Sequence, residues 1–257
     1  GVYILNAAGC VDFLSFGSEE GETEALFKIA DVLLNPAIQN NIKEKMKKGI
    51  PVFKAISESL NEYAGILNKP NNILGINYIK ALKRLNSKII PHTVKREGDG
   101  YNEETALSEI TSAKTLRNML LKDEDISAFV PDSTCNSLSN PVFEKNFDSM
   151  MTYALRMADI NKIKSAADVS EGLENLIKKA AFSANTVKDI ADGIKSKRYA
   201  YTRIKRILYN ILLDIPEASR KKNPEYIKVL AFNEKGRELL SKMKKTSSLP
   251  LITNVSK

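Results

Sequence analysis

Apolar positions change their period several times along this chain, and each change predicts an element. Gly1-Val2-Tyr3-Ile4-Leu5-Asn6-Ala7-Ala8-Gly9 has the spacing of an amphipathic helix closing on a C-terminal glycine. The run Val11-Asp12-Phe13-Leu14-Ser15-Phe16 then predicts a buried strand, ended by Gly17, and Glu22 to Leu34 returns to helical spacing. Asn35-Pro36 breaks the chain, a Lys-rich helix covers about 38–48, and Gly49-Ile50-Pro51 closes it and opens the next, with Pro51 at the first helical position. Lys69-Pro70-Asn71-Asn72 is a second break and cap, followed by a helical face of Ile73, Leu74, Ile76, Ile79, Ala81 and Leu82. Lys88 to Val94 predicts an extended strand running into the loop Gly98-Asp99-Gly100.

From Glu103 the pattern is helical for some 140 residues, with stretches near 103–122, 141–157, 170–182, 186–195 and 200–213 and no fixed-period repeat. The end differs: an apolar run at 226–232, a basic helix at 235–245 and an extended run at 249–253 predict a small βαβ element. The fold class expected is α/β, with a partial Rossmann-like nucleotide-binding part at 1–100 and a mainly helical region at 101–257 carrying the βαβ element. The chain opens inside a helix, without an initiator Met or a signal-peptide pattern, so we expect it to continue a longer protein.

Composition narrows the classes. The 257 residues are 43% hydrophobic and 27% charged, which excludes a wholly disordered or collagenous chain. No apolar run approaches the roughly 18 residues of a membrane span. Cys10 and Cys135 lie far apart without CxxC or Cys/His spacing, so neither a disulfide framework nor a metal site is expected, and a reduced cytoplasmic protein is. Net charge is +8, unevenly placed: residues 195–245 hold 15 Lys and Arg against 5 acids, while the rest holds 24 against 26. A near-neutral body with a basic C-terminal third suits a polyanionic partner; a solvated Lys-rich surface is the plain alternative.

Four constellations bear on chemistry. Gly17, where a strand gives way to a helix, allows a nucleotide to approach the backbone at the carboxyl edge of a parallel sheet, although any such turn favours glycine. The amides of Asn71-Asn72 suit a base or ribose edge, or simply a helix N-cap. Arg96, beside Lys95 and ahead of the glycine loop, suits a phosphate clamp or an ordinary surface position. Ser112 and Arg117 in Thr111-Ser112-Ala113-Lys114-Thr115-Leu116-Arg117 place a hydroxyl and a guanidinium within reach of one phosphate, provided the helix starts at Ser112 and not at Glu103. His92 is the only histidine, so no Ser-His-Asp triad or His-rich metal site is expected.

The segments VDFLSFGSEEGE (11–22), KPNNILGINYIKAL (69–82), VKREGDGY (94–101), SAKTLR (112–117), KRYAYTRIKRIL (197–208) and LPLIT (249–253) resemble, in order and spacing, the bacterial tRNA(Met) cytidine acetate ligase family. That resemblance implies a nucleotidyltransferase fold of the HxGH class. It implies an enzyme that forms acetyl-adenylate from ATP, with or without Mg2+, and acetate, and then acetylates the wobble cytidine of elongator tRNA(Met). Carried over by position, it implies ATP contacts at Gly17, Asn71, Arg96, Ser112 and Arg117.

Three departures stand out. The HxGH segment would lie before Gly1, Asn102 follows Tyr101 where the family has histidine, and Lys114 replaces the usual threonine. The expectation is therefore a fragment unable to activate acetate alone. For tRNA, the run Lys197-Arg198-Tyr199-Ala200-Tyr201-Thr202-Arg203-Ile204-Lys205-Arg206 interleaves cations with tyrosines. Lys197, Arg198, Arg203 and Arg206 are expected on the RNA backbone and Tyr199 on an unpaired base; if the run is one helix from 197, Tyr199, Arg203 and Arg206 share a face and Tyr201 points the other way, toward the core. A nucleotidyltransferase with another acceptor and a non-catalytic RNA-binding module are the competing classes.

Overall fold

The computed structural model describes residues 1–50, 52–97, 111–138, 140–170, 172–196, 199–220 and 222–254. Two compact units emerge: Gly1–Tyr101 with Asn223–Lys257, and Asn102–Lys222.

The first unit begins with α1 (Val2–Ala8), β1 (Phe13–Ser18), α2 (Thr23–Leu34), α3 (Pro36–Lys47), α4 (Val52–Ser59), a short α5 (Ala64–Leu67), α6 (Pro70–Arg84) and β2 (Ile90–Lys95). β1 and β2 pair in parallel, from Phe13 opposite Ile90 to Ser18 opposite Lys95. Their side chains alternate: Phe16 and Ser18 turn inward with Pro91 and Thr93, while Phe13, Gly17, Ile90 and Val94 lie exposed. The inward face meets α2 and α6 around Leu26, Ile29, Ile76 and Ile79, all at most 2% exposed. Gly75 permits that approach, because a Cβ there would run into the Phe16 ring. Phe16 in turn meets Tyr78 edge to face, with ring centroids 5.6 Å apart.

The chain returns to this unit through β3 (Ile227–Lys228), a helix, α15 (Glu234–Thr246), and β4 (Leu251–Ile252). β3 and β4 are parallel, Ile227 opposite Leu251, so the βαβ order is present. The two strands are short, two residues each. Gly9 closes α1 in the left-handed region at φ 67°, and a Cβ there would lie 2.5 Å from the Thr246 carbonyl oxygen. Ser248 N–H donates to the Ala7 carbonyl at 2.8 Å and the Thr246 hydroxyl to the Ala8 carbonyl at 2.8 Å.

The second unit holds α7 (Ala113–Leu121), α8 (Asp132–Ser137), α9 (Asp148–Met157), α10 (Ile160–Ser165), α11 (Leu173–Ser183), α12 (Val187–Ile194), α13 (Tyr201–Leu212) and α14 (Glu217–Arg220). Its core joins α9 to α13 through Met151, Leu155, Ile163, Ile177, Ile190, Ile204 and Ile207. Several cations serve this packing. Lys178 Nζ donates to the carbonyls of Leu155, Arg156 and Ala158 at 3.2, 2.7 and 2.6 Å, and Arg156 Nε to the Ala181 carbonyl at 2.7 Å. Both sit at helix C-termini, where carbonyls lack helical partners and the dipole favours positive charge.

The structure differs from the sequence expectations in four respects. The segment 223–257 clusters with the first unit, so 101–257 is not one compact region. The helix expected over 141–157 starts with a 3-10 turn at Glu144–Phe147 before α9, and α8, α10 and α14 occupy stretches left unassigned. Asn71-Asn72 does not cap α6: Lys69 is the N-cap and Pro70 takes the first helical position. The expectations for Pro51, the loop 98–100, Asn102 and helix 103–110 fall outside the described residues. Among the described residues, no helix is long and apolar enough to cross a membrane.

Candidate functional site

The carboxyl end of β1 lies against the N-terminus of α6, and one carboxylate joins them. Glu19 Oε1 accepts from Asn71 Nδ2 at 2.8 Å and Asn71 N–H at 3.3 Å, and Oε2 from Asn72 N–H at 2.9 Å. It thereby satisfies N–H groups that the first turn of a helix leaves without partners, at the end where the dipole favours an anion. Partial burial pushes the Glu19 carboxyl up, but the hydrogen bonds from Asn71 and Asn72 outweigh it and hold the group below its ordinary value.

Asn72 returns the favour. Fully buried, it accepts with Oδ1 from the N–H groups of Glu19 and Glu20 at 2.9 and 3.0 Å and donates to the Ile66 carbonyl at 3.1 Å. The turn is locked further by Ser18, whose Oγ accepts from Gly21 N–H at 2.9 Å and from the Thr93 hydroxyl at 2.7 Å.

On the outward face of this turn lie Gly17 and Arg96. Arg96 N–H donates to the Ser18 carbonyl at 2.9 Å, extending the β1–β2 ladder by one residue. Its side chain lies over Gly17, such that a Cβ on Gly17 would sit 3.1 Å from Arg96 Cγ and 3.8 Å from Nη1. The exposed Arg96 guanidinium makes no ion pair with a described residue. Bare glycine backbone and an exposed guanidinium thus share one edge with Asn71, whose amide already donates to Glu19, and the edge is able to receive an anionic nucleotide.

Ser112 and Arg117 belong to the helical unit. Ser112 is the N-cap of α7, so the helix does start there; its buried Oγ accepts from Thr115 N–H at 3.2 Å and lies 2.9 Å from Thr115 Oγ1. Its hydroxyl is engaged by its own helix and is not aimed outward at a phosphate. Arg117 is exposed and lines a cavity of about 530 Å³ with Asn118, Leu121, Val142, Phe143, Glu144, Lys145, Asp148, Thr186 and Lys188.

Lys197 and Arg198 fall outside the described residues. Tyr199 precedes α13 and is only 6% exposed; its hydroxyl lies 3.0 Å from Ser170 Oγ and its ring is covered by the Arg203 guanidinium at 5.4 Å. The structure therefore corrects the expectation that Tyr199 stacks on an RNA base. Tyr201 lies between two lysines, its ring centroid 4.7 Å from Lys205 Nζ and 6.0 Å from Lys195 Nζ.

Arg203 and Arg206 do share a face, but a residue absent from the sequence reasoning gathers them. Asp168 pairs with Arg203 and Arg220 at 3.3 Å each and with Arg206. Asp168 adopts φ 72°, and Glu217 Oε2 accepts its N–H at 2.8 Å. Burial pushes its carboxyl up, and the three guanidiniums, Arg206 foremost, more than reverse this and hold it low. No short-range pattern signals this position in the sequence, because its partners lie 35 to 52 residues away. The partner of Asn71 was legible in principle, since Glu19 follows the strand that precedes the Pro-Asn-Asn helix start.

Residues 1–257 match the family described as HIGH Nucleotidyl Transferase. A protein of Thermoanaerobacter sp. (strain X514) called tRNA(Met) cytidine acetate ligase is 40% identical, with 99% of this chain aligned to 68% of that protein. The protein of the same name from Acetivibrio thermocellus is 36% identical over 99% of this chain and 68% of its own. Among solved structures, apo Thermotoga maritima TmcAL superimposes with a TM-score of 0.87 at 29% identity, covering 99% of this chain and 66% of that one. The same protein bound with alpha-thio ATP superimposes at 0.85 and 28% identity, covering 98% and 65%. This chain thus spans about two thirds of the length of the proteins it matches. The match over residues 1–257, with relatives 36–40% identical along nearly the whole chain, leads to one conclusion: the chain belongs to the HIGH nucleotidyl transferase family.

Proposed function

We propose that the chain is part of an ATP-dependent ligase that acetylates the wobble cytidine of elongator tRNA(Met). In the first step an acetate oxygen attacks the α-phosphorus of ATP, giving acetyl-adenylate and releasing pyrophosphate. In the second the exocyclic amine of cytidine attacks the acetyl carbonyl, AMP leaves, and the amine gives up a proton. Such chemistry needs reactants held in line and phosphate charge offset, with no protein nucleophile.

The observation that carries this reading is the edge at Gly17. A bare backbone position there, overlaid by an exposed arginine that pairs with no acid among the described residues, suits an adenylate whose phosphates approach closely. We assign Gly17 to that close approach, Arg96 to phosphate charge and the Asn71 amide to the nucleoside side. Ser112 enters only as the cap that starts α7. Arg203 and Arg206 face the tRNA backbone, with acetate and ATP as small-molecule partners and the cytoplasm as the place of work. The relatives named tRNA(Met) cytidine acetate ligase, at 36–40% identity, and a neighbour solved with an ATP analogue support the choice of substrates.

The test is ATP- and acetate-dependent acetylation of elongator tRNA(Met), with the natural full-length protein and this chain assayed side by side. Acetylated cytidine formed by the full-length protein, with tRNA bound by this chain, is the expected result. No acetylation while ATP still raises the melting temperature points to another acceptor. tRNA binding with no ATP effect in either protein leaves an RNA-binding module instead.

A further inference from the structure

The cavity on the helical unit is not used by the adenylation chemistry, and its lining is unusual for a surface hollow. Leu121, Val142 and Phe143 make an apolar wall, with Val142 71% and Leu121 53% exposed. Arg117, Lys145 and Lys188 stand around it, and none of them makes an ion pair among the described residues. The two carboxylates of the lining are both engaged. Glu144 Oε2 accepts from Lys205 Nζ at 2.7 Å, and Asp148 Oδ1 accepts from Val187 N–H at 2.7 Å.

We propose that this cavity receives a single unpaired nucleotide of the RNA strand, its base against Leu121, Val142 and Phe143 and its phosphodiester on Arg117 and Lys188. The inference rests on the reading that the chain acts on a tRNA. About 530 Å³ accommodates one nucleotide and falls in the usual range of small-ligand pockets. Apolar and aromatic walls take the face of any base, and the Asn118 amide offers both a donor and an acceptor to a base edge.

Charge separates this occupant from free ATP. With Lys205, which pairs with Glu144, four cations stand against two carboxylates, and the two net positive charges suit one or two phosphodiesters and fall short of a triphosphate. The N-terminus of α12 adds little for a triphosphate, because its Val187 and Asp189 N–H groups already donate to Asp148 and to Thr186 Oγ1. Arg117, carried over by resemblance as an ATP residue, is thereby reassigned to the RNA.

The experiment uses the full chain and an anticodon stem-loop RNA of tRNA(Met). Phe143→Ala is expected to weaken binding about tenfold, the scale of one base stacked on an aromatic ring. Lys188→Ala, at an exposed position, is expected to weaken it severalfold and to reduce the salt slope by about one phosphate contact. Irradiation of the complex carrying one 5-iodocytidine in the loop is expected to cross-link within 142–145, a result that a purely structural role for Phe143 would not give. Stem-loop binding by the parent chain that both variants retain undiminished overturns the pocket and leaves the tRNA reading standing. Failure of the parent chain to bind the stem-loop overturns both. An ATP-induced rise in melting temperature lost in Lys188→Ala, with RNA binding intact, assigns the cavity to free nucleotide and overturns the proposal.

Discussion

At the edge of β1 and on the face of α13 the same two ingredients, carboxylates and arginines, are combined in opposite proportions. Glu19 gives its carboxylate to three N–H donors of α6, and among the described residues Arg96 has no ion-pair partner. Asp168 gives its carboxylate to three arginines, offsetting one of their charges and holding all three in place. One arrangement builds a rigid cradle around an available cation; the other restrains cations that a polyanion would otherwise meet. Positive residues in this chain therefore differ in availability far more than their count suggests, and Lys178 and Arg156, bound to helix carbonyls, lie at the restrained extreme.

The cradle should be the more fragile of the two, because its hydrogen bonds are buried. Asn72→Ala removes a fully buried side chain and leaves the partly buried Glu19 and Glu20 N–H groups and Ile66 carbonyl without their side-chain partner. The expected cost is about 2–3 kcal/mol, the scale of leaving buried polar groups unsatisfied. Chemical denaturation measures it, and ATP affinity should fall with it because the Gly17 turn loosens. A loss below about 0.5 kcal/mol would mean that the Glu19–Asn72 exchange does not hold the edge.

The Arg cluster should respond less in stability and in the opposite sense in binding. Asparagine tolerates the left-handed backbone of Asp168 at φ 72°, so Asp168→Asn changes charge with little strain. Stability is expected to drop by about 1–2 kcal/mol at neutral pH, as ion-paired hydrogen bonds weaken. The folded-state carboxyl is held low, so its contribution is present above its unfolded value near 3.8 and is lost as pH falls through the folded value. The difference between parent and variant should therefore shrink in acid. RNA affinity should rise two- to threefold at low salt, since the cluster gains one unit of positive charge. Unchanged affinity and salt slope would place Arg203 and Arg206 away from the RNA.

How much of this was legible in the sequence also differs between the two regions. Helical period and Pro/Asn punctuation located α2, α6, α11, α12 and α13, because each buries one face at the expected spacing. Local pattern also marked Gly17 and Arg96, since glycine after a strand and a cation before a loop are short-range signals. It gave no hint of Asp168, which works only through residues 35 to 52 positions away. Tyr199 and Arg203 were paired by assuming that one helix ran from 197, whereas α13 begins at Tyr201 and Tyr199 packs before it. The basic C-terminal third likewise looked continuous along the chain, yet α15 belongs to the first unit and α13 to the second.

The smallest expected effect on stability falls where the effect on function should be clearest. Gly17 is exposed, and its φ is not in the left-handed region, so alanine is permitted by the backbone. Its methyl group would meet only the flexible Arg96 side chain, at 3.1 Å from Cγ, which can turn aside at little cost. Gly17→Ala should change unfolding free energy by less than about 0.5 kcal/mol, as for most exposed substitutions. The same methyl group fills the space where phosphates approach the strand end and displaces the guanidinium that offsets their charge. ATP affinity, measured by calorimetry, is expected to fall about tenfold while stem-loop RNA affinity stays unchanged, because the RNA contacts proposed lie on the helical unit. Equal losses of ATP and RNA affinity would erase the division of labour drawn between the two regions. An unchanged ATP affinity would remove the nucleotide from this edge altogether.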